Sequence, residues 1–395
     1  MAGRLVVTGY DDELAATKRD VANLEALVRE DPNDSGKRVR LAHRKFHCAS
    51  LTCQPADFVA VEAAIADAIR SFGALEDICL LRATLNLRFH RVAAAKASLE
   101  MQPRLALRPQ GRIVLADCDF QEGRYERART ALESLVGENP TWDGLARLAH
   151  WDATMGRAEE ADALYLRAQD ELTAKEMRAY AWLELERGEL RAATGSLDEA
   201  RAHYERADAA YPGHWQTGEH FAALYVAQDD LSKAVALLRN LIERVPKPEL
   251  RQRLGELLVL MDEADQAQEL FEGALADYLE SVSTGEVHYY HHLVDFYVRA
   301  RPDAAEAVLW ARRDVALRSN FSTQRALADA LRRSGQIDEA LQHIGEALSS
   351  GVREWAIFAT AAEVFDAAGQ AWNSEHYARK AAQLNPHGRQ LQVRH

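Results

Sequence analysis

The sequence predicts an all-α solenoid built of helix–turn–helix repeats, and three observations predict it. A single pattern of small and bulky apolar residues returns along nearly the whole chain at a period of about 34 residues. Leu, Ala, Glu and Arg dominate while Gly (21) and Pro (10) are scarce, a bias that favours helix. At 395 residues the chain is also too long for one compact core, so it divides into domains or runs as an array.

The most regular unit is 109–140, PQGRIVLADCDFQEGRYERARTALESLVGENP. It reads as a helix with Leu115 and Ala116, a turn at Glu122, Gly123 and Arg124, a second helix with Tyr125, Ala128, Leu132 and Leu135, and a stop at Asn139 and Pro140. Unit 76–108 repeats it with Ala83, Val92, Ala95 and Leu99, and unit 142–175 with Leu148, Ala149, Gly156, Ala161 and Tyr165. Unit 181–214 carries Gly188, Gly195, Leu197, Ala200 and Tyr204; unit 215–247 carries Ala222, Tyr225, Ala234 and Leu238. Unit 248–281 carries Leu254, Gly255, Ala267 and Phe271; units 321–354 and 355–388 carry Ala328, Gly335, Ala340 and then Ala362, Gly369 and Ala378.

The spacing has a physical reason. Ala or Gly at the eighth and twentieth positions lets two helices approach, and bulky residues at the seventh, eleventh and twenty-fourth fill the remaining gaps. One pair cannot cover its own apolar face, so neighbours must stack. Two units depart from the pattern. In the first, about 35–72, the second helix is expected to start late, after an insertion CASLTCQPAD; near 285–320, Ala304, Ala305 and Ala307 compete for the small position and Pro302 marks the turn. Ahead of the array, 11–30 is an amphipathic helix with Leu14, Val21, Leu24 and Leu27, either a cap or a leftover second helix. The expected organisation is an extension and capping helix at 1–34, nine or ten helix pairs over 35–388, and a tail at 389–395.

Units in this register resemble the tetratricopeptide repeat family over roughly residues 35–388. The resemblance implies a right-handed superhelix whose first helices line a concave groove, and a binding scaffold rather than a catalyst. It also implies which positions face the groove. In the regular unit these are Asp117, Phe120 and Gln121, with Asp119 standing where the family usually packs a Tyr. The middle groove would receive Trp182, Leu185, Glu189, Gln216, Glu219, Val226, Glu249, Gln252 and Glu256. The later groove would receive His288, His291, Asp295, Arg299, Arg325, Asp329, Arg332 and Arg333, then Glu363 and Asp366. An acidic middle and a basic later wall would orient an extended peptide by charge. Solvated helix faces with pairs such as Arg325 and Asp329 are the plainer account. The Lys and Asn with which some members clamp chaperone tails are not reproduced: Val39 and His43 stand there in the first unit, Arg325 and Asp329 in unit 321–354.

Two histidine groups are candidate metal ligands. In Glu286–His292, EVHYYHH, helical spacing would put His288 on one face with His291 or His292; the second group is His43, His47, Cys48 and Cys53. Neither forms HExxH or paired CxxC, and no cofactor is expected. GxGxxG, GxxxxGK[ST] and GxSxG are absent, so an enzymatic role would need a site inside the groove, centred on EVHYYHH. A ligand-responsive regulator that tightens on a peptide or small molecule is the other alternative to a scaffold.

Composition bounds the partners. Lys+Arg 48 against Asp+Glu 61 gives −13, a surface that repels nucleic acid and anionic membrane. No apolar run approaches the roughly 20 residues of a membrane span, and the first residues are not a secretory signal. Four cysteines in a chain this long are no disulfide framework. The expectation is a cytoplasmic protein with a protein or peptide partner, homo-oligomerisation remaining open.

Overall fold

A computed structural model describes residues 9–386 and 388. Helix α1 (Tyr10–Glu30) precedes ten helix pairs: α2 (Ser35–Thr52) with α3 (Pro55–Phe72), α4 (Glu76–Arg88) with α5 (Val92–Glu100), α6 (Pro109–Gln121) with α7 (Tyr125–Glu138), α8 (Trp142–Thr154) with α9 (Ala158–Asp170), and α10 (Met177–Ala193) with α11 (Leu197–Ala210). Then come α12 (Trp215–Ala227) with α13 (Leu231–Arg244), α14 (Pro248–Leu260) with α15 (Ala264–Ser283), α16 (Tyr290–Arg299) with α17 (Ala304–Leu317), α18 (Phe321–Arg333) with α19 (Ile337–Ser349), and α20 (Trp355–Ala367) with α21 (Ala371–Leu384). The described residues contain no strand. The fold is an all-α solenoid wound as a right-handed superhelix.

The pairs close where the small residues fall. Ala149 and Ala161, Ala328 and Ala340 are wholly buried between their helices, with Tyr165 and Ile344 filling the gaps beside them. Glycine at the eighth position answers an aromatic ring at the twenty-fourth. A Cβ on Gly188 would lie 2.3 Å from the Tyr204 ring, and one on Gly255 would lie 2.5 Å from the Phe271 ring. Each such buried ring is worth about 1.5–3 kcal/mol against its exposed state.

First helices pack on the first helices of the next pair (α2 on α4, α4 on α6, α10 on α12, α14 on α16, α16 on α18, α18 on α20), while successive second helices make no comparable contact. That asymmetry bends the array and puts the first helices on the inside of the curve. The curve closes on itself. Phe321 N–H donates to Tyr125 Oη, Asn320 Nδ2 to the Gln121 carbonyl, Tyr211 Oη to Glu13, and Asn385 Nδ2 to the Ala192 carbonyl, across sequence separations of 193 to 199 residues. Arg353 N–H likewise donates to the Thr154 carbonyl, and Tyr10 N–H to the Pro212 carbonyl. At Gln121, Tyr125 and Thr154 a turn inside one pair meets the loop that precedes a first helix six pairs later; at Ala192 such a turn meets the residue after α21, and the start of α1 meets the loop before α12. Six pairs therefore make one superhelical turn, and a seam joins the first turn of the superhelix to the second.

α1 takes the place of a second helix, with its first residues in the seam against Pro212. Three expectations need correction. The residues around CASLTCQPAD do not form an inserted loop: they lengthen α2 to 18 residues, Cys53 ends it in the left-handed region (φ 51°), and α3 starts at once on Pro55. His288 is not in a helix. α15 runs on to Ser283, turns at Thr284–Gly285 and His288–Tyr289 follow, and α16 begins at Tyr290, so the same-face argument from helical spacing fails. That 20-residue α15 is also why the repeat register was lost there; Ala307, wholly buried, takes the small position. The tail 389–395 lies outside the described residues.

Candidate functional site: the inner channel

The candidate site is the inner wall formed by the first helices. Most of its side chains are half-buried on the inside of the curve, with Glu189 exposed. Asp117 on α6 accepts Arg147 Nε from α8 at 2.9 Å, and burial still pushes its carboxyl above the usual range. Phe120 packs edge-on against Tyr125 (5.2 Å) and faces His150 (5.4 Å). Trp182 on α10 meets Trp142 on α8 at 6.1 Å.

The middle wall is acidic. Glu186 accepts a 3.4 Å hydrogen bond from Tyr165, and burial, then the nearby Glu189 charge, raises its pKa to about 7. Glu189 pairs with His220 at 3.0 Å; burial opposes the imidazolium, but Glu189 and the neighbouring carboxylates outweigh it and hold its pKa above the ordinary value. Glu219 and Arg253 border a small gap between α12 and α14. Glu249 pairs with Lys247 at 2.9 Å, which keeps it ionised against burial. Gln252 Nε2 donates to both Glu256 (2.9 Å) and Asp295 (3.0 Å), and burial followed by Asp295 raises the Glu256 pKa.

The later wall differs from expectation. Arg332 and Arg333 both bind Asp329, at 2.6 Å and 3.0 Å, Arg332 also reaches Glu363 at 2.8 Å, and Arg299 pairs with Asp295. The basic residues are there but neutralised by near neighbours. Arg325 does not take Asp329; it lies near Glu354, whose pKa burial lifts to about 7 with Arg325 pulling it back. Leu185, Val226 and Gln252, placed in the groove by the family positions, are buried, and Gln121 lies in the seam, receiving Asn320 and Arg318. Arg147, Glu186, His220 and Arg253 were missed. Each follows the family's fifth position by one residue, and their clustered charge on successive first helices was the available signal.

His288, His291 and His292 do come together. Their ring centres lie 6.0 Å (288–291), 6.1 Å (288–292) and 4.0 Å (291–292) apart, and His90 from the first superhelical turn stacks on His288 at 5.6 Å. The second histidine group is dispersed: His47 binds Glu13 at 2.7 Å, Cys48 is buried, and Cys53 faces Arg88. His43 and His47 instead border a cleft of about 760 Å³ between α1, α2 and the start of α4.

Residues 191–252 match the family model described as Tetratricopeptide repeat. With ten stacked helix pairs the chain is a helix-pair solenoid, and residues 191–252 of it carry the tetratricopeptide repeat. Among solved structures it is similar to a tetratricopeptide repeat protein from Parabacteroides merdae ATCC 43184 (17% identity over 60% of this chain and 92% of that one, TM-score 0.40). It is also similar to the APC/C hetero-tetramer Cut9–Hcn1 (11% identity, 96% and 93% coverage, TM-score 0.40). Both superpositions are too loose to bear on function. No curated protein sequence matches the chain. A tetratricopeptide repeat array is in general a protein-interaction scaffold, and among the described residues no helix is long and apolar enough to cross a membrane.

Proposed function

We propose that the inner channel holds an extended segment of a partner protein, with Lys or Arg side chains of that segment against the acidic wall of α10, α12 and α14, and that the chain does no chemistry itself. The observation that supports this reading most is the wall itself. Glu186, Glu189, Glu219, Glu249 and Glu256 recur on three successive first helices, partly solvated and enclosed by the superhelix. Glu186 beside Glu189 and Glu256 beside Asp295 retain an unfavourable repulsion that an arriving cation relieves. Four unpaired cysteines fit the cytoplasmic setting this reading assumes.

Selection of extended peptides from a displayed library tests it. Enriched sequences should carry Lys or Arg, and Glu189→Lys combined with Glu219→Lys should weaken them by at least about tenfold. Selected peptides that bind the double variant equally well, or that protect only second helices from hydrogen exchange, would sink the groove assignment.

A further inference from the structure

The seam gathers titratable groups that the peptide reading does not use. Among the described residues no three side chains are placed to hold a metal ion, so the imidazoles expected as ligands stand here as seam packing. His90, in the turn between α4 and α5, belongs to the first superhelical turn. It stacks on His288 (ring centres 5.6 Å) and meets His291 edge-on (5.2 Å), both of the second turn. His292 lies behind them, 4.0 Å from His291.

Hydrogen bonding holds these rings neutral. Arg318 reaches across the seam and donates Nη1–H to His90 Nδ1 at 3.2 Å. A guanidinium only donates, so that nitrogen is the acceptor and carries no proton. Asp314 fixes Arg318 at 2.9 Å and 3.2 Å, and Arg318 also donates to Gln121 of the first turn. His288 Nδ1 and His291 Nδ1 are sealed from water with no hydrogen-bond partner among the described residues. A proton on either would be a buried N–H without an acceptor. The surrounding charges act the same way. His90 faces Arg318, His288 and His292; His288 faces Arg88, Lys247, Glu249 and His292; His291 faces Arg318 and the other three imidazoles. His292 faces Lys247, Glu219, Glu249 and Asp295. Of these carboxylates, Glu249 is paired with Lys247 and Asp295 with Arg299. Burial first, then Arg318 for His90 and His292 for the other two, lowers His90 to about 2, His288 to about 3 and His291 well below its ordinary value.

We propose that His90, His288 and His291 form an acid-sensitive latch: neutral, they let the two superhelical turns close on each other, and on taking up protons they part them at this point. The latch is independent of what occupies the channel. Parted, the rings regain the ordinary imidazole value near about 6.5. Closure is therefore fully present above about pH 6.5 and is lost as pH falls below it, by about 25-fold for each imidazole between about pH 7 and pH 5.

Native-state hydrogen exchange of the full chain at about pH 7 and pH 5, corrected for the intrinsic effect of pH on exchange, tests it. The reporter is the Phe321 N–H, which donates across the seam to Tyr125 beside the Arg318 contact. Its opening should rise more than about fiftyfold between the two pH values, because more than one proton is taken up, while amides in the middle of α13 should not follow it. His90→Asn, which suits the left-handed backbone there (φ 59°), should cut that ratio by about 25-fold; His43→Asn should leave it at the wild-type value. The reading is a ratio within each variant, so a variant whose seam is looser at both pH values still decides the matter. Glu186 and Glu354, raised to about 7 by burial, cannot mimic the effect, because they favour the folded form as pH falls. A smaller rise in the wild type, an unchanged ratio in His90→Asn, or an equal rise in α13 overturns the proposal.

Discussion

The two superhelical turns use the same glycine for different reasons. Gly123, Gly156 and Gly195 in the first turn and Gly335 and Gly369 in the second all end a first helix with positive φ, between 70° and 84°. In the second turn a Cβ at either glycine would meet nothing within 4 Å. In the first turn it would lie 2.6 Å from the Ser319 carbonyl oxygen at Gly123, 2.7 Å from Arg353 Cβ at Gly156, and 3.0 Å from Pro386 at Gly195. One motif position thus answers only to local backbone in one turn and also to a segment six repeats away in the other. The seam, more than the pair, distinguishes the halves of this molecule.

The largest expected effect breaks that comparison directly. Gly123→Ala should cost about 1–2 kcal/mol for the left-handed backbone plus about 1–3 kcal/mol for overpacking against Ser319. Gly335→Ala should incur the first cost alone. Thermal denaturation of both variants decides it; equal losses would remove the seam from the account. Next in size is Tyr125→Phe, which leaves the Phe321 N–H unsatisfied and should cost about 1–3 kcal/mol. Accelerated hydrogen exchange should be confined to Phe321 and its neighbours, and global acceleration would contradict a local seam contact.

A pH effect comes next, and its sign follows from Glu186. With its pKa raised from 4.5 to about 7 by burial and Glu189, the folded chain holds this proton more tightly than the unfolded one. This group's contribution to stability is therefore most favourable below about pH 4.5 and declines as pH rises to about 7. Glu186→Gln should flatten that part of the profile in urea titrations, and an unchanged slope would reassign it to another group. The smallest effect sharpens the seam's definition. Arg244 spans the turns to Asp11 at 3.3 Å, but in open solvent, so Arg244→Ala should cost no more than about 1 kcal/mol and lose that in high salt.

Much of the fold was legible because each repeat is written in short-range residues. Gly188 with Tyr204 and Gly255 with Phe271 are sixteen residues apart, and Pro248 at the start of α14 signals locally. The candidate site was partly legible. Asp117, Phe120, Trp182, Glu189, Glu219, Glu249 and Glu256 were placed from the family positions, and they lie on first helices. The ion pairs that neutralise Arg332 and Arg333, and the inner placing of Glu186 and His220, depend on side-chain rotation and on the neighbouring repeat. The histidines were noticed on a helical argument that does not hold, since His288 precedes α16. His90, which lies 198 positions before His288, was not noticed at all.

What the sequence by itself determined is the brick: helix, turn, helix, and which face of each is apolar. Period and residue size suffice for that, because the contacts that build a pair lie within one repeat. Tertiary structure decided how the bricks close. Curvature accumulates from small differences between inner and outer packing, and only after six pairs does the chain return to within hydrogen-bonding distance of itself. The seam, the enclosed channel and the gathering of His90 with His288, His291 and His292 all arise at that return, from contacts whose partners share no local pattern.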